Sequence, residues 1–210
     1  MKNFVCLFLI LFLSTSVFSQ TTAKYPTKSR FYSNRYRSYS IKDGDILLYN
    51  FKKDTLAYNL TVIVRSISNA INLSYSISEN AAILEKEKSG NIVLPEQTRL
   101  LATKYDTLIT DSMATLKNEI VFWMSQKNFK ELYYIKESQM DMGNGMESFA
   151  RENTSTIKIK IKGRETLLTL FNMDNQKGKA KSMSVLTDDS NPLIVRMDAG
   201  KWTMSLSEIR

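Results

Sequence analysis

From Asp45 onward, apolar and polar side chains alternate with a period of two. Ile71, Leu73, Tyr75 and Ile77 are separated by Asn72, Ser74 and Ser76, the pattern of a strand with one face in a core and the other in water. Leu56–Ser66 puts Leu60, Val62 and Val64 on one side and Thr61, Ile63 and Arg65 on the other, and Ser68-Asn69 between the two runs predicts a hairpin turn. In the second half Ile157, Ile159 and Ile161 alternate with Lys158, Lys160 and Lys162, and Gly163-Arg164 turns the chain into Thr166–Phe171. The polar clusters Asp174–Lys179 and Asp188–Pro192 precede apolar runs at Ala180–Thr187 and Leu193–Met197. Ala199-Gly200 then leads into a last strand with Trp202, Met204 and Leu206 on one face.

The middle of the chain is less regular. Asn91–Leu94 reads as a short strand stopped by Pro95, and Thr98–Tyr105 as one or two helical turns. Ile120–Met124 is an apolar run short enough for a buried strand. Ser125 after it is a suitable N-cap for a helix through Leu132, with Phe129 and Leu132 on its inner side. Gly143-Asn144-Gly145 marks a turn. Short strands separated by polar turns predict an all-β chain: an antiparallel sheet forming a barrel, half-barrel or sandwich of about ten strands, with one or two short helices.

The N-terminus breaks this pattern. Lys2 is followed by an uncharged run from Phe4 to Leu13, and Val17-Phe18-Ser19 offers a small residue before Gln20. These are the parts of a secretory signal peptide over residues 1–19, and the run is too short to be a membrane anchor. Export to the periplasm or the extracellular space is the expectation, with no transmembrane segment left after cleavage. Cleavage would also remove Cys6, the one cysteine of a chain that has no histidine. Such a mature chain has neither thiol nor imidazole, which excludes disulfides, thiolate nucleophiles, Cys/His zinc sites and Ser-His-Asp triads.

Charge changes the picture a second time. The formal net charge is +8, yet residues 41–210 hold 23 basic and 21 acidic side chains, a net of +2. The excess sits in residues 20–40, a segment with Lys24, Lys28, Arg30, Arg35 and Arg37 and no acidic residue. Tyr25, Phe31, Tyr32, Tyr36 and Tyr39 are interleaved with these cations, and the segment has neither strand nor helix periodicity. It reads as a flexible arm ahead of a single β domain at 41–210. Its plainest role is a spacer. Its functional role would be attraction to lipid phosphates or other envelope polyanions, with Arg30, Arg35, Tyr36 and Arg37 pairing charge with stacking. With the domain itself nearly neutral, no nucleic-acid partner is expected.

Candidate chemistry is sparse. Ser155-Thr156-Ile157-Lys158 matches Ser-x-x-Lys, but Lys158 belongs to the lysine-bearing, solvated face of its strand. The pairs Asp43 and Asp45, Asp141 and Glu147, and Asp188 and Asp189 could in principle do the work of a glycoside hydrolase. All lie beside glycine, asparagine or proline, where aspartate is a turn residue. No cofactor or phosphate-loop motif is present. Tyr75, Trp123, Trp202 and Met204, with Phe122, Met124, Met183 and Met197, either fill a core or line an adaptable apolar cavity.

Several stretches nevertheless share a pattern with known proteins. Asn191–Ile209 (NPLIVRMDAGKWTMSLSEI), 58–77 (YNLTVIVRSISNAINLSYSI), 89–94 (SGNIVL) and 121–132 (VFWMSQKNFKEL) together resemble a family of exported all-β Bacteroidetes proteins that has no assigned activity. The resemblance spans most of 44–209 in order and implies an exported all-β domain; it carries over no functional residues. Ala81–Ser89, which looks charged and loose, and the basic arm depart from it. A more distant similarity is to envelope domains of antiparallel half-barrel type that hold lipid.

Three readings of function follow. The first is an exported non-enzymatic envelope domain that binds a lipid or other hydrophobic ligand in an apolar sheet interior near Tyr75, Trp123, Trp202 and Met204. The second is an interaction or assembly protein that binds an envelope partner through a strand edge or the 20–40 arm. A carboxylate-based hydrolase ranks last.

Overall fold

The computed structural model describes residues 38–53, 56–78, 89–105, 113–176 and 181–210. The signal segment, arm residues Arg30, Arg35, Tyr36 and Arg37, most of Ala81–Ser89, and 177–180 of the Asp174–Lys179 and Ala180–Thr187 runs lie outside them.

The described residues form an all-β fold with two short helices. In order come β1 (Ile46–Lys53), β2 (Leu56–Ile67), β3 (Ile71–Ile77), β4 (Ser89–Leu94), α1 (Glu96–Leu101), β5 (Lys104–Tyr105), β6 (Met113–Thr115) and β7 (Glu119–Ile120). Then follow α2 (Gln126–Tyr134), β8 (Glu137–Asp141), β9 (Met146–Arg151), β10 (Ser155–Ile161), β11 (Arg164–Asn175), β12 (Ser182–Leu186), β13 (Ile194–Asp198) and β14 (Trp202–Ile209). The described strands number fourteen rather than about ten. The surplus comes from β5, β6 and β7, which are two or three residues long and too short to carry a readable alternation.

The strands from β10 to β14 close on themselves. Each pairs antiparallel with the next, and β10 returns to β14 in parallel through Lys160 opposite Glu208 and Ile161 opposite Ile209. A meander with an odd number of strands can close only with one parallel pair. The backbone N–H of Lys162 adds a 2.8 Å bond to the Ile209 carbonyl at this seam. β1 runs along the full length of β14 and starts a wing of β1, β2, β3, β4 and β6; β9, β8, β5 and β7 form another from β11.

Alternation and register together build the core. Ile209, Leu47, Val62 and Tyr75 form one row across β14, β1, β2 and β3. A longer row runs Met173, Met183, Met197, Met204, Phe51 and Tyr58 across β11, β12, β13, β14, β1 and β2. All ten side chains are buried, each worth about 1.5–3 kcal/mol against exposure when fully apolar. Unbranched methionines fill the irregular space inside a small closed sheet, where branched side chains would leave gaps.

Strict alternation fails once in β14. A bulge shifts the register between Leu48 and Tyr49, leaving Ser207 unpaired, with its Oγ donating to the Leu48 carbonyl at 2.9 Å. Leu206 and Ile209, three apart, therefore both face inward. The β10–β11 turn uses Lys162 at φ 48° and Gly163 at φ 80°, the paired positive angles of a tight hairpin that suit glycine.

Two elements differ from expectation. The first helix spans Glu96–Leu101 rather than Thr98–Tyr105, because it begins directly after Pro95, whose fixed φ and missing N–H suit a helix start. Lys104–Tyr105 pairs instead with β7 and β8. Ile120–Met124 is buried throughout, but only Ile120, the end of β7, is in a strand. Phe122 has φ 64°, which breaks the extended run and turns successive side chains inward. Bonds from Ile194 N–H to the Phe122 carbonyl (2.7 Å) and from Met124 N–H to the Pro192 carbonyl (2.8 Å) hold this kink. The helix after Ser125 forms as expected and runs on to Tyr134, with the serine Oγ accepting from the Asn128 N–H at 3.3 Å.

Candidate functional site

The four apolar residues singled out in the sequence are all buried, but the fold does not gather them at one place. Trp202 and Met204 lie toward the start of β14, where Phe51 stacks between Trp202 (ring centroids 5.5 Å apart) and Tyr58 (4.8 Å). Tyr75 sits three strands away on β3, about 14 Å from β14 by strand spacing. Trp123 is wholly buried and bridges Leu193. Its indole N–H has no hydrogen-bond partner among the described residues.

The conspicuous carboxylates serve the backbone and neighbouring polar groups. Asp43 accepts from the Ile67 N–H at 2.7 Å. Asp141 accepts from the N–H groups of Gly143 (2.8 Å) and Gly145 (2.9 Å) and so shapes the β8–β9 turn. Glu147 holds the buried Lys181 ammonium at 2.8 Å. Asp188 accepts from the Ser190 N–H at 3.0 Å, and Asp189 from the Ser190 hydroxyl at 3.4 Å. Ser155 and Lys158, three apart on a strand, face opposite sides, and Ser155 shares hydrogen bonds with Asn172. Among the described residues, no group of three or more acidic, histidine or cysteine side chains is placed to hold a metal. No described helix is long and apolar enough to cross a membrane.

Two polar clusters escaped the sequence reading. Beneath α2, Asn128 accepts from the hydroxyls of Tyr105 (3.0 Å) and Ser125 (2.7 Å) and donates to Ser138 Oγ (2.6 Å) and the Gln139 carbonyl (3.1 Å). The Ser138 hydroxyl donates in turn to Glu131 at 2.7 Å. The cluster is internally satisfied and ties the helix to β5 and β8. On the other side of α2, the Arg151 guanidinium lies 5.3 Å from the Tyr133 ring centre and 4.7 Å from that of Phe171.

The feature that bears on function is the root of the arm. Tyr39, Ser40 and Ile41 are fastened to the domain at separate points. Ile41 is buried in the core. Ser40 Oγ donates to Asp188 at 2.6 Å. The Tyr39 hydroxyl donates to Asp45 Oδ2 at 2.9 Å, an oxygen that also accepts from the Lys42 N–H at 2.9 Å. Asp45 is 2% exposed, and a buried carboxylate is tolerated only when its charge is compensated. The Lys162 ammonium, 3.6 Å from Oδ1, supplies the compensation. Burial first, then the hydrogen bond to Asp45 and its negative charge, push the Tyr39 hydroxyl up from 10.0 to about 12.

This anchorage places Tyr39 near Lys162, just past the end of β10. Lys158, Lys160 and Lys162 are exposed, as is Arg164 across the turn. Glu165 and Glu208 flank Lys160, and Lys162 is already paired with Asp45. The lysines were legible in the sequence; the contact of Tyr39 with an aspartate that Lys162 also faces was not. No protein-family model, curated protein or solved structure matches this chain.

Proposed function

We propose that the mature chain is an exported, non-enzymatic binding domain that presents its basic arm and the lysine face of β10 to an anionic envelope surface bearing lipid phosphates. The observation that carries this reading is the fastening of Tyr39 to Asp45, which also faces Lys162, with Ser40 held by Asp188. A mere spacer has no need of these two attachments. An arm that delivers charge to a surface gains from a fixed root, because the ordering entropy at that end is already spent before binding. Lys24, Lys28, Arg30, Arg35 and Arg37 precede this root in the sequence with no acidic residue before Asp43. Each cation close to an anionic leaflet contributes about 1 kcal/mol, and arginines add bidentate bonds to phosphate.

The signal at 1–19 supports delivery to the periplasm or beyond, where such surfaces are met. The packed methionine and aromatic rows favour a surface role over a ligand held in the interior. The edge strands β6 and β7 are too short to recruit a partner strand efficiently. Co-sedimentation of the mature chain with vesicles of phosphatidylglycerol and phosphatidylcholine, against phosphatidylcholine alone, tests the reading. Selective capture by the anionic vesicles is expected.

A further inference from the structure

Outward-facing positions of β1, β2 and β14 build a second polar surface, separate from the arm root. Side chains alternate across a strand, so Asn50 and Lys52 stand on the opposite face from Tyr49 and Phe51. Register sets them beside matching positions on both neighbours. Ser205 pairs with Asn50 and Asn50 with Asn59; Thr203 pairs with Lys52 and Lys52 with Ala57. The result is a grid of about 10 Å by 7 Å, from strand spacing and rise, with a hydrogen-bonding side chain at every position except Ala57. Around it lies a hollow of about 330 Å³, within the usual size range of small-molecule sites, about 300–1,000 Å³.

Ser78 Oγ accepts from the Asn59 N–H at 3.3 Å, and the larger polar groups at this hollow are uncommitted. Among the described residues, the carboxamides of Asn50 and Asn59 make no side-chain hydrogen bond and Lys52 has no ion pair. None of the lining residues is acidic.

We propose that this hollow binds an acidic sugar unit of a polysaccharide. A carboxamide offers donor and acceptor side by side, matching adjacent sugar hydroxyls, which also do both. Ser205 and Thr203 extend that pattern along β14. Lys52 provides one positive charge, enough for one carboxylate and too little for a phosphate cluster. A purely apolar ligand finds no wide apolar floor, because the Phe51 and Tyr58 rings stack on each other at the buried face.

The test is a titration of the nitrogen-15-labelled mature chain with a glucuronate-containing tetrasaccharide, with cellotetraose as its neutral counterpart. The side-chain amide signals of Asn50 and Asn59 should shift with the acidic sugar, at an affinity roughly tenfold above that for cellotetraose. Asn50→Ala with Asn59→Ala should abolish the shifts while the rest of the spectrum shows an intact fold. Lys52→Ala should bring the acidic sugar down to the affinity of the neutral one. Arg30→Ala, Arg35→Ala and Arg37→Ala together should leave the binding unchanged, which separates this site from the arm. No shift at millimolar sugar, equal affinity for both sugars, or shifts confined to β10 would overturn the proposal.

Discussion

The Tyr39 hydroxyl and the Asp45 carboxylate meet at 2.9 Å, and Lys162 faces the second oxygen of the same carboxylate at 3.6 Å. One buried charge thus ties the end of the arm to the first turn of the domain and to the β10–β11 hairpin. A hydrogen bond to a charged group is worth about 1.5–3 kcal/mol, and partial exposure of Tyr39 places this one at the lower end. Tyr39→Phe should lower unfolding stability by about 1–2 kcal/mol in a urea titration. It should also speed proteolysis around 38–40, since Ser40 alone would then hold the arm by a side-chain bond. An unchanged cleavage pattern would count against the anchorage.

Alkaline pH should reveal the same contact. The folded chain keeps its Tyr39 proton up to about 12, whereas the ordinary value is 10.0. Burial also raises Tyr49, Tyr58 and Tyr105. Above pH 10 the unfolded chain releases protons that the folded chain retains. Stability contributed by these groups is therefore complete below pH 10 and declines as pH rises through 12. Absorbance at the tyrosinate band should show most exposed tyrosines ionising first. The remaining group should ionise together with loss of the folded circular dichroism signal. Tyr39→Phe should reduce the steepness of the decline.

Asn128 is the least replaceable polar residue of the described domain. Asn128→Ala removes the acceptor for Tyr105 and Ser125 and the donor to Gln139, leaving buried groups without partners. A loss of about 2–4 kcal/mol is expected. Ser125→Ala, which removes the helix cap and one network bond, should cost about 1–2 kcal/mol. Equal, small effects for the two variants in urea denaturation would show that the network is not cooperative.

Local pattern was a sound guide where one strand face meets water. The lysine and isoleucine alternation of β10, the β2–β3 hairpin at Ser68-Asn69 and the Ser125 cap all follow from residues within a few positions of one another. The failures have one physical source. Phe122 sits at φ 64° where Ile194 holds its carbonyl and Pro192 holds the Met124 N–H, both about seventy residues away. The bulge at Ser207 is set by its pairing with β1, and the β10–β14 seam closes a ring between chain ends that no local pattern connects. The candidate site was legible as a charge block at 20–40 and as a lysine face. The meeting of Tyr39 and Lys162 at Asp45 depends on folding, since nothing about Tyr39 in the sequence distinguishes it from Tyr36.

The central claim is that the fastened arm carries the domain to lipid phosphate. Its most direct measurement is the affinity of the mature chain for phosphatidylglycerol-containing vesicles, compared with that of the variant carrying Arg30→Ala, Arg35→Ala and Arg37→Ala. At about 1 kcal/mol per lost charge, the variant should bind roughly a hundredfold more weakly, and raised salt should weaken the unaltered chain as well. Equal affinity of the two chains, or equal binding to phosphatidylcholine vesicles without anionic lipid, would contradict the account.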